Sequence, residues 1–355
     1  MGQLEATHAE IQPPITVHIN QSDSQSWDDY VLNQTDASLY HEIAWLSLIR
    51  NVYGHETFSL TAHDNKENTV GILPLVYMHS ILFGKFLVSM PYLNYGGVLA
   101  DTPDVSDALL RKASELCNRL GGSHLELRHR KTIGNWPAKT DKVTMMLELP
   151  ASHDELWKSF KPKLRAQIRR PEKEGAHCTV GGVELLDDFY RVFSNNMRDL
   201  GTPVYPKRFA QAILEQYPEK SRLFVVYLNQ IPAAAALVLG HRSTLEIPWA
   251  SSIKSMNRFG VNMSLYWNVL KWAIETNYSN FDFGRCTPNS GTFRFKKQWG
   301  SNPKQLYWQY WLPQNNPLPQ LNPSNPKYAF FIRAWQRLPL SVANRIGPWL
   351  IKGIP

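Results

Sequence analysis

Residues 280–300 read Asn280-Phe281-Asp282-Phe283-Gly284-Arg285-Cys286-Thr287-Pro288-Asn289-Ser290-Gly291-Thr292-Phe293-Arg294-Phe295-Lys296-Lys297-Gln298-Trp299-Gly300. Phe281 to Phe283 has the pattern of a short strand that delivers Asp282 and Arg285 to its end. Pro288 and Gly291 then mark a loop. If the stretch after the loop is extended, residues two apart share a face: Phe293, Phe295 and Lys297 point one way, Arg294 and Lys296 the other. That would set an apolar anchor against two cations, and cations at a strand end suit an anionic substrate or a developing oxyanion. A surface strand with solvated lysines over an aromatic core fits the same letters.

Working outward, a helix over 262–275 precedes this strand, after a loop (251–261) and three strands at 222–228, 233–239 and 244–249. Helices are expected at 187–200 and 206–216. Ser152 followed by Glu155 forms a capping box that starts a helix, which Pro171 ends or kinks. Toward the N-terminus, strands at 55–62 and 69–77 pair through the turn Asp64-Asn65-Lys66, and 86–90 and 97–100 continue the β pattern. A helix over 107–120, stopped by Gly121-Gly122, leads to strands at 124–128 and 143–149. The order helix, turn, strand, arginine occurs at 109–128 and again at 265–285. This reads as two copies of one α/β (α+β) unit, each a largely antiparallel sheet flanked by helices. The expected divisions are a flexible arm (1–14), a first unit (15–150), a second unit carrying most of the site (151–312), and a Pro-rich linker with an amphipathic basic tail (313–355).

The 355 residues are 43% hydrophobic and 19% charged, which excludes a largely disordered chain. Lys and Arg number 38 against 30 Asp and Glu, a net charge of +8 that favours an acidic partner. Met1 to Gln12 has no apolar core of a secretory signal, and no apolar run reaches the roughly 18 residues of a membrane helix. Cys117, Cys178 and Cys286 form no CxxC or zinc pattern, so reduced thiols in a cytoplasmic protein are expected.

Three further segments are candidates for the site. Met90-Pro91-Tyr92-Leu93-Asn94-Tyr95-Gly96-Gly97 combines glycines that allow close backbone approach with tyrosine hydroxyls, and reads as a cleft lining or a bulged turn. Leu200 to Tyr205, with Thr202 and Tyr205, is a helix connector or a hydroxyl-bearing loop. Lys158, Lys161, Lys163, Arg165, Arg169, Arg170 and Lys173 crowd one helical region, either a solvated face or a phosphate-binding rim between the units. Walker, GxSxG and HExxH motifs are absent, and no metal is expected.

The stretches 71–101, 161–175, 199–209 and 280–300, with the tail 335–350, resemble the FemAB-type transferases, which carry tandem acetyltransferase-like (GNAT) domains. They are most similar to the branch associated with exosortase/PEP-CTERM systems and exopolysaccharide production. The resemblance covers nearly all of 15–350 and rests chiefly on 282–300. It implies two GNAT-like domains and transfer of an acyl or aminoacyl group to an amine of a cell-envelope or exopolysaccharide precursor. Peptidoglycan-bridge members take the group from aminoacyl-tRNA, whereas acetyltransferases use acyl-CoA. A non-catalytic binding module is the remaining alternative.

One departure bears on the donor. The coenzyme A loop Q/R-x-x-G-x-G/A corresponds here to Asn257-Arg258-Phe259-Gly260-Val261-Asn262, where only Gly260 is in place. Ordinary coenzyme A binding is thereby put in doubt, although Arg258 and the helix N-terminus can still meet a phosphate. The resemblance implies that Lys296 of the FK motif stabilises the oxyanion, with Phe295 packing on the donor. Asp282 is expected to orient the acceptor amine or take its proton, and Arg285 to hold a phosphate or carboxylate. Asn94, Tyr95, Thr202, Tyr205, Lys163 and Arg165 are expected to bind substrate. The acceptor is expected to be an anionic small molecule or lipid-linked, with the basic tail seating the protein peripherally on the inner membrane.

Overall fold

The computed structural model describes residues 15–20, 25–80, 84–313, 318–319 and 326–355. The expected arm (1–14) and most of the Pro- and Asn-rich linker lie outside the described residues. The chain opens with β1 (Thr16–Asn20), α1 (Gln25–Asn33), α2 (Ala44–Tyr53), β2 (Glu56–His63), β3 (Thr69–Ser80), β4 (Gly84–Val88) and β5 (Leu99–Ala100). It continues with α3 (Pro103–Arg119), β6 (Leu125–His129), β7 (Ala138–Lys139) and β8 (Val143–Glu148). Then come α4 (His153–Ser159), α5 (Pro162–Lys173), β9 (Ala176–Gly181), α6 (Leu186–Leu200), α7 (Lys207–Gln216), β10 (Ser221–Leu228), β11 (Ile231–His241) and β12 (Thr244–Ser252). The last elements are α8 (Val261–Glu275), β13 (Asn280–Cys286), α9 (Gly291–Lys297), β14 (Asn302–Gln305), β15 (Tyr307–Trp311), α10 (Pro326–Gln336) and α11 (Leu340–Ile351).

Local chemistry sets several boundaries. The Thr102 hydroxyl accepts from the Val105 N–H, and Pro103 occupies the first turn of α3. Ser152 caps α4 as its sequence predicts. The helix expected from Ser152 to Pro171 is in fact two, because the chain is extended at Phe160 and Lys161 and Pro162 opens a new first turn. Pro171 lies in the last turn of α5, and Pro348 lies inside α11 rather than dividing the tail further.

The strands form two mixed sheets ordered β1-β2-β3-β4-β6-β15-β7, with β5 beside β3, and β14-β8-β13-β12-β11-β10-β9. Pairing is antiparallel except for β4 with β6 and β12 with β13. Each parallel pair is joined by a helical crossover, through α3 in one case and α8 in the other. The repeat suspected from helix, strand and arginine is therefore present in the topology.

Two strands trade places. β8 enters the second sheet between β14 and β13, and β15 returns to the first between β6 and β7. The strand expected over 305–311 is split at Leu306, which is buried in the central core where the ribbon turns from one sheet to the other. Divisions at 150 and 312 therefore do not separate the sheets.

A central core joins the inner faces of both sheets with α1, α2, α6 and α7. An outer core sets α3 against the first sheet, and another sets α4, α5 and α8 against the second. Leu223 and Val225 face the central core while Phe224 and Val226 face the outer one, as the two-residue period of a strand requires. Coverage on both faces explains why β10 and β11 are nearly continuous apolar runs.

Candidate active site

The parallel register of β12 and β13 ends at Glu246 opposite Asp282, after which both strands run on without pairing to each other. Leu245, Ile247, Phe281 and Phe283 belong to the outer core. Alternation therefore turns Glu246 and Asp282 inward, toward the first unit. Asp282 is 3% exposed. Its Oδ1 accepts from the Thr144 hydroxyl of β8 and from the Gly284 N–H at 2.8 Å. Its Oδ2 accepts from the Tyr95 hydroxyl at 2.5 Å. Asn94 Nδ2 donates to Glu246 Oε1 at 2.8 Å.

Asn94 and Tyr95 come from the 90–97 loop, whose sequence pointed to close backbone approach. A methyl on Gly97 would fall 1.8 Å from His129 Cδ2, so no larger residue fits there without rebuilding. Met90 and Tyr92 hold φ values of 49° and 71°, a left-handed backbone that side-chain-bearing residues rarely adopt. Strain is thus stored in the loop that carries two polar side chains to the opposite sheet.

The extended reading of 293–297 is corrected. The Ser290 hydroxyl accepts from the Phe293 N–H at 3.1 Å and starts the helix α9. Helical spacing sets Phe295 and Trp299 on one side, with ring centres 4.9 and 6.1 Å from that of Tyr266. Lys296 turns from that layer into the protein, where it is 5% exposed. Its Nζ donates to the carbonyls of Gly284 at 2.8 Å and Arg285 at 3.0 Å. Those carbonyls are free because β13 bulges against β8 between Asp282 and Arg285, with Gly284 at φ +74°. A methyl built on Gly284 would lie 3.3 Å from the Ile247 carbonyl oxygen, 3.6 Å from Asn94 Nδ2 and 3.9 Å from Lys296 Nζ. Lys296 Nζ and Asn94 Nδ2 thus both lie within 4 Å of that position, and Asn94 is bonded to Glu246.

Burial dominates the electrostatics. It lowers Lys296 to about 8, against the opposing pull of nearby Cys286, Asp282 and Glu246. It raises Glu246 well above the carboxylate range, helped by the charge of Asp282. The Tyr95 phenol is pushed up by burial and by both carboxylates, so it remains a donor. Tyr95 also lines a cleft of about 680 Å³ bordered by Gly97, Arg128, Arg130, Lys131 and Lys304. Within it Arg130 donates to the Asp36 carbonyl at 2.7 Å, and Lys131 pairs with the Asp36 carboxylate.

The structure thus gathers Asn94, Tyr95, Asp282 and Lys296. Arg285 is adjacent and lies over Trp308 at 4.3 Å. The Tyr205 ring sits among Tyr92, Phe193, Phe209 and Trp249, while Thr202 closes the end of α6 through its N–H to Met197. Phe295 packs into the aromatic layer of the outer core. Lys163 and Arg165 lie on α5, which packs against α8 and β9 on the outer face of the second sheet. The basic helix is therefore not a rim between the units, because its Leu164 and Ile168 bury it on the far side. Arg258 is exposed, and a methyl on Gly260 would meet Pro171 Cγ of α5 at 3.2 Å. Glu246 and Thr144 were missed, although an acid within the otherwise apolar strand Leu245 to Trp249 was a visible signal. His18, His63 and Glu67 bring metal-ligand atoms within 4.8 Å of one another at the β1–β2 edge, the one such trio among the described residues.

Residues 158–297 match the family described as "Acetyltransferase (GNAT) domain". The match covers most of the second unit. FemX matches with a TM-score of 0.61 at 15% identity, over 82% of this chain and 96% of that one. The L-PGS of Bacillus licheniformis matches with a TM-score of 0.54 at 13% identity, over 89% and 98%. A tandem GNAT protein of the clavulanic acid biosynthesis pathway, solved without AcCoA, gives 0.54 at 9% identity, over 86% and 100%. At these identities the likeness is one of fold, and it extends the GNAT-like reading to both units. No curated protein sequence matches this chain.

Proposed function

We propose that the protein transfers an acyl or aminoacyl group to an amine, with the reaction centred where β12 and β13 part. The observation that carries this is the gathering of Lys296 Nζ, Asn94 Nδ2 and the Glu246 carboxylate around the bulge at Gly284. An ammonium has three N–H groups, and Lys296 spends two on backbone carbonyls, leaving one for a substrate oxygen. As the amine nitrogen bonds to the acyl carbon, the carbonyl oxygen gains charge, which Lys296 and Asn94 stabilise. Glu246, poised by burial, takes the amine proton, and collapse of the intermediate breaks the bond to the departing oxygen or sulfur, which receives a proton. Asp282, whose oxygens already accept from Tyr95, Thr144 and Gly284, braces the site instead of exchanging protons. This reassigns the proton-accepting role from Asp282 to Glu246.

An aminoacyl donor is favoured over acyl-CoA by the loop at 257–262, which lacks the coenzyme A pattern and lies against α5. Calorimetry with acetyl-CoA and with aminoacyl-tRNA separates the two, and saturable acetyl-CoA binding would reverse the preference. The sequence resemblance favours an acceptor from a cell-envelope or exopolysaccharide pathway of the exosortase-associated kind. A lipid-linked acceptor is supported by the tail. Among the described residues no helix is long and apolar enough to cross a membrane. Yet α11 exposes Val342, Ile346 and Trp349, while its Ala343, Gly347 and Ile351 face the protein. Residues 326–355 contain five Lys or Arg and no acid. Such a face suits an anionic bilayer on the cytoplasmic side. The deciding test is transfer by purified Lys296→Met and Glu246→Gln proteins that remain folded: full activity in both removes this centre.

A further inference from the structure

Each sheet sends one arginine to the same indole. Trp308 of β15 is the cross-strand partner of Arg128 of β6. Leu125 and Leu127 face the outer core, so Arg128 turns inward, toward the second sheet. The Arg128 guanidinium lies 4.2 Å from the centre of the Trp308 ring, and that of Arg285, arriving from β13, lies 4.3 Å from it. These two arginines close the two copies of the helix–strand repeat.

The protein neutralises only one of the two: Arg128 is ion-paired with Glu126, and Arg285 with no acid among the described residues. Arg128 is 2% exposed. Its Nε donates to Glu126 Oε1 at 2.9 Å, and its Nη1 donates to the carbonyls of Leu93 at 2.6 Å and Met90 at 3.4 Å. Its Nη2 is buried with no partner, and so is Trp308 Nε1. Arg285 makes no side-chain hydrogen bond or ion pair among the described residues. Glu126, the acid beside them, is already shared with the Tyr310 hydroxyl at 2.7 Å. Two guanidinium groups held on one ring repel, and an unmet charged donor in a buried place is unfavourable. An incoming anion removes both penalties.

We propose that Arg128 and Arg285 form a phosphoryl-binding subsite between the two sheets, beside Lys296, whose ammonium is anchored on the Gly284 and Arg285 carbonyls. Guanidinium forks arriving from separate sheets call for an acceptor with oxygens in more than one plane. A tetrahedral phosphoryl group provides that and a carboxylate does not. The subsite deepens the transferase reading by giving the substrate a phosphate ester near its reacting end, but its binding can be measured without any transfer.

The experiment is calorimetric titration of the full chain with inorganic pyrophosphate at low salt, with glutarate as a dicarboxylate control. Saturable pyrophosphate binding is expected, reduced at least tenfold in Arg285→Gln and to a lesser degree in Arg285→Lys, which keeps the charge and loses the fork. Arg285 has no protein acceptor to orphan and is repelled by Arg128, so neither variant is expected to fall below the wild-type thermal midpoint. Displacement of pyrophosphate by uridine diphosphate would assign a soluble carrier, and displacement by phosphatidic acid vesicles a lipid one. Glutarate binding as tightly as pyrophosphate, or pyrophosphate affinity unchanged in Arg285→Gln, overturns the proposal. Pyrophosphate binding by a protein that transfers nothing would leave the subsite standing and the transferase reading refuted.

Discussion

Replacing Lys296 by Met should change how stability depends on pH. The side chain is buried, and burial lowers it from 10.5 to about 8. In the unfolded chain it returns to its ordinary value. Between the two values the unfolded state binds more protons than the folded one, so this residue makes the wild type more stable as pH rises. Below about 8 both states carry the proton and the folded state bears the whole penalty, about 3 kcal/mol at 1.36 kcal/mol per pKa unit. Made in a Glu246→Gln background, which removes the carboxylate that titrates in the same range, subtraction of the Lys296→Met curve cancels the more distant titrating groups. That difference should climb by about 2 kcal/mol from about pH 7 to about pH 10. Urea unfolding followed by circular dichroism in a buffer series reads it directly. A flat difference means that Lys296 titrates normally and is not desolvated, which refutes its placement under β13. The same charge should govern rate. With Glu246 raised to about 8 as the base and Lys296 lowered to about 8 as the charged donor, wild-type transfer should peak near pH 8, and Lys296→Met should lose on the order of 10²–10³-fold and keep only the rising limb.

Other outcomes follow from the same geometry. Glu246→Gln should lower kcat by about 10²–10⁴-fold while leaving substrate affinity nearly intact, as steady-state kinetics would show; an equal loss in Asp282→Asn with normal Glu246→Gln would return the proton-accepting role to Asp282. Gly284→Ala should lower stability by about 1–2 kcal/mol in chemical denaturation, since its φ of +74° disfavours a side chain, and should also obstruct the reaction point. Trp349→Ser together with Ile346→Ser should abolish sedimentation with phosphatidylglycerol vesicles and leave the thermal midpoint unchanged, because both side chains face away from the protein; undiminished sedimentation would remove the tail from membrane contact.

The parts legible in the sequence were those set by local chemistry. Capping at Ser152, the turn at 64–66 and the apolar runs of β10 to β12 all act within a few residues, and the structure follows them. The segment 291–297 was misread because its letters fit both periods. Phe293 and Phe295 alternate like a strand, and only Ser290 with the Phe295–Trp299 spacing points to a helix. The exchange of β8 and β15 between sheets was invisible for a different reason. Pairing partners are chosen by tertiary packing, and nothing in Val143 to Glu148 distinguishes one apolar neighbour from another.

Those two blind spots are also what hid the site. Thr144 meets Asp282 only because β8 crosses to the second sheet, and Trp308 meets Arg285 only because β15 crosses back. With each unit's strands kept in its own sheet, Asp282 would lose an inward hydroxyl partner, and the arginines of the two units would have no ring in common. The exchange also fixes the sheets relative to each other through the two ribbons and the shared central core, which steadies a centre drawing Asn94 and Tyr95 from one unit and Glu246 and Lys296 from the other. A lone copy of the repeat therefore carries half of the donors. Separate expression of residues 151–312 should give a chain that lacks β15 pairing and has no activity, and adding residues 15–150 in trans should restore little, because β8 must insert between β13 and β14 as the second sheet forms. Full activity of the isolated segment would show that the first unit contributes nothing to the chemistry, and with that the inter-sheet centre would fall.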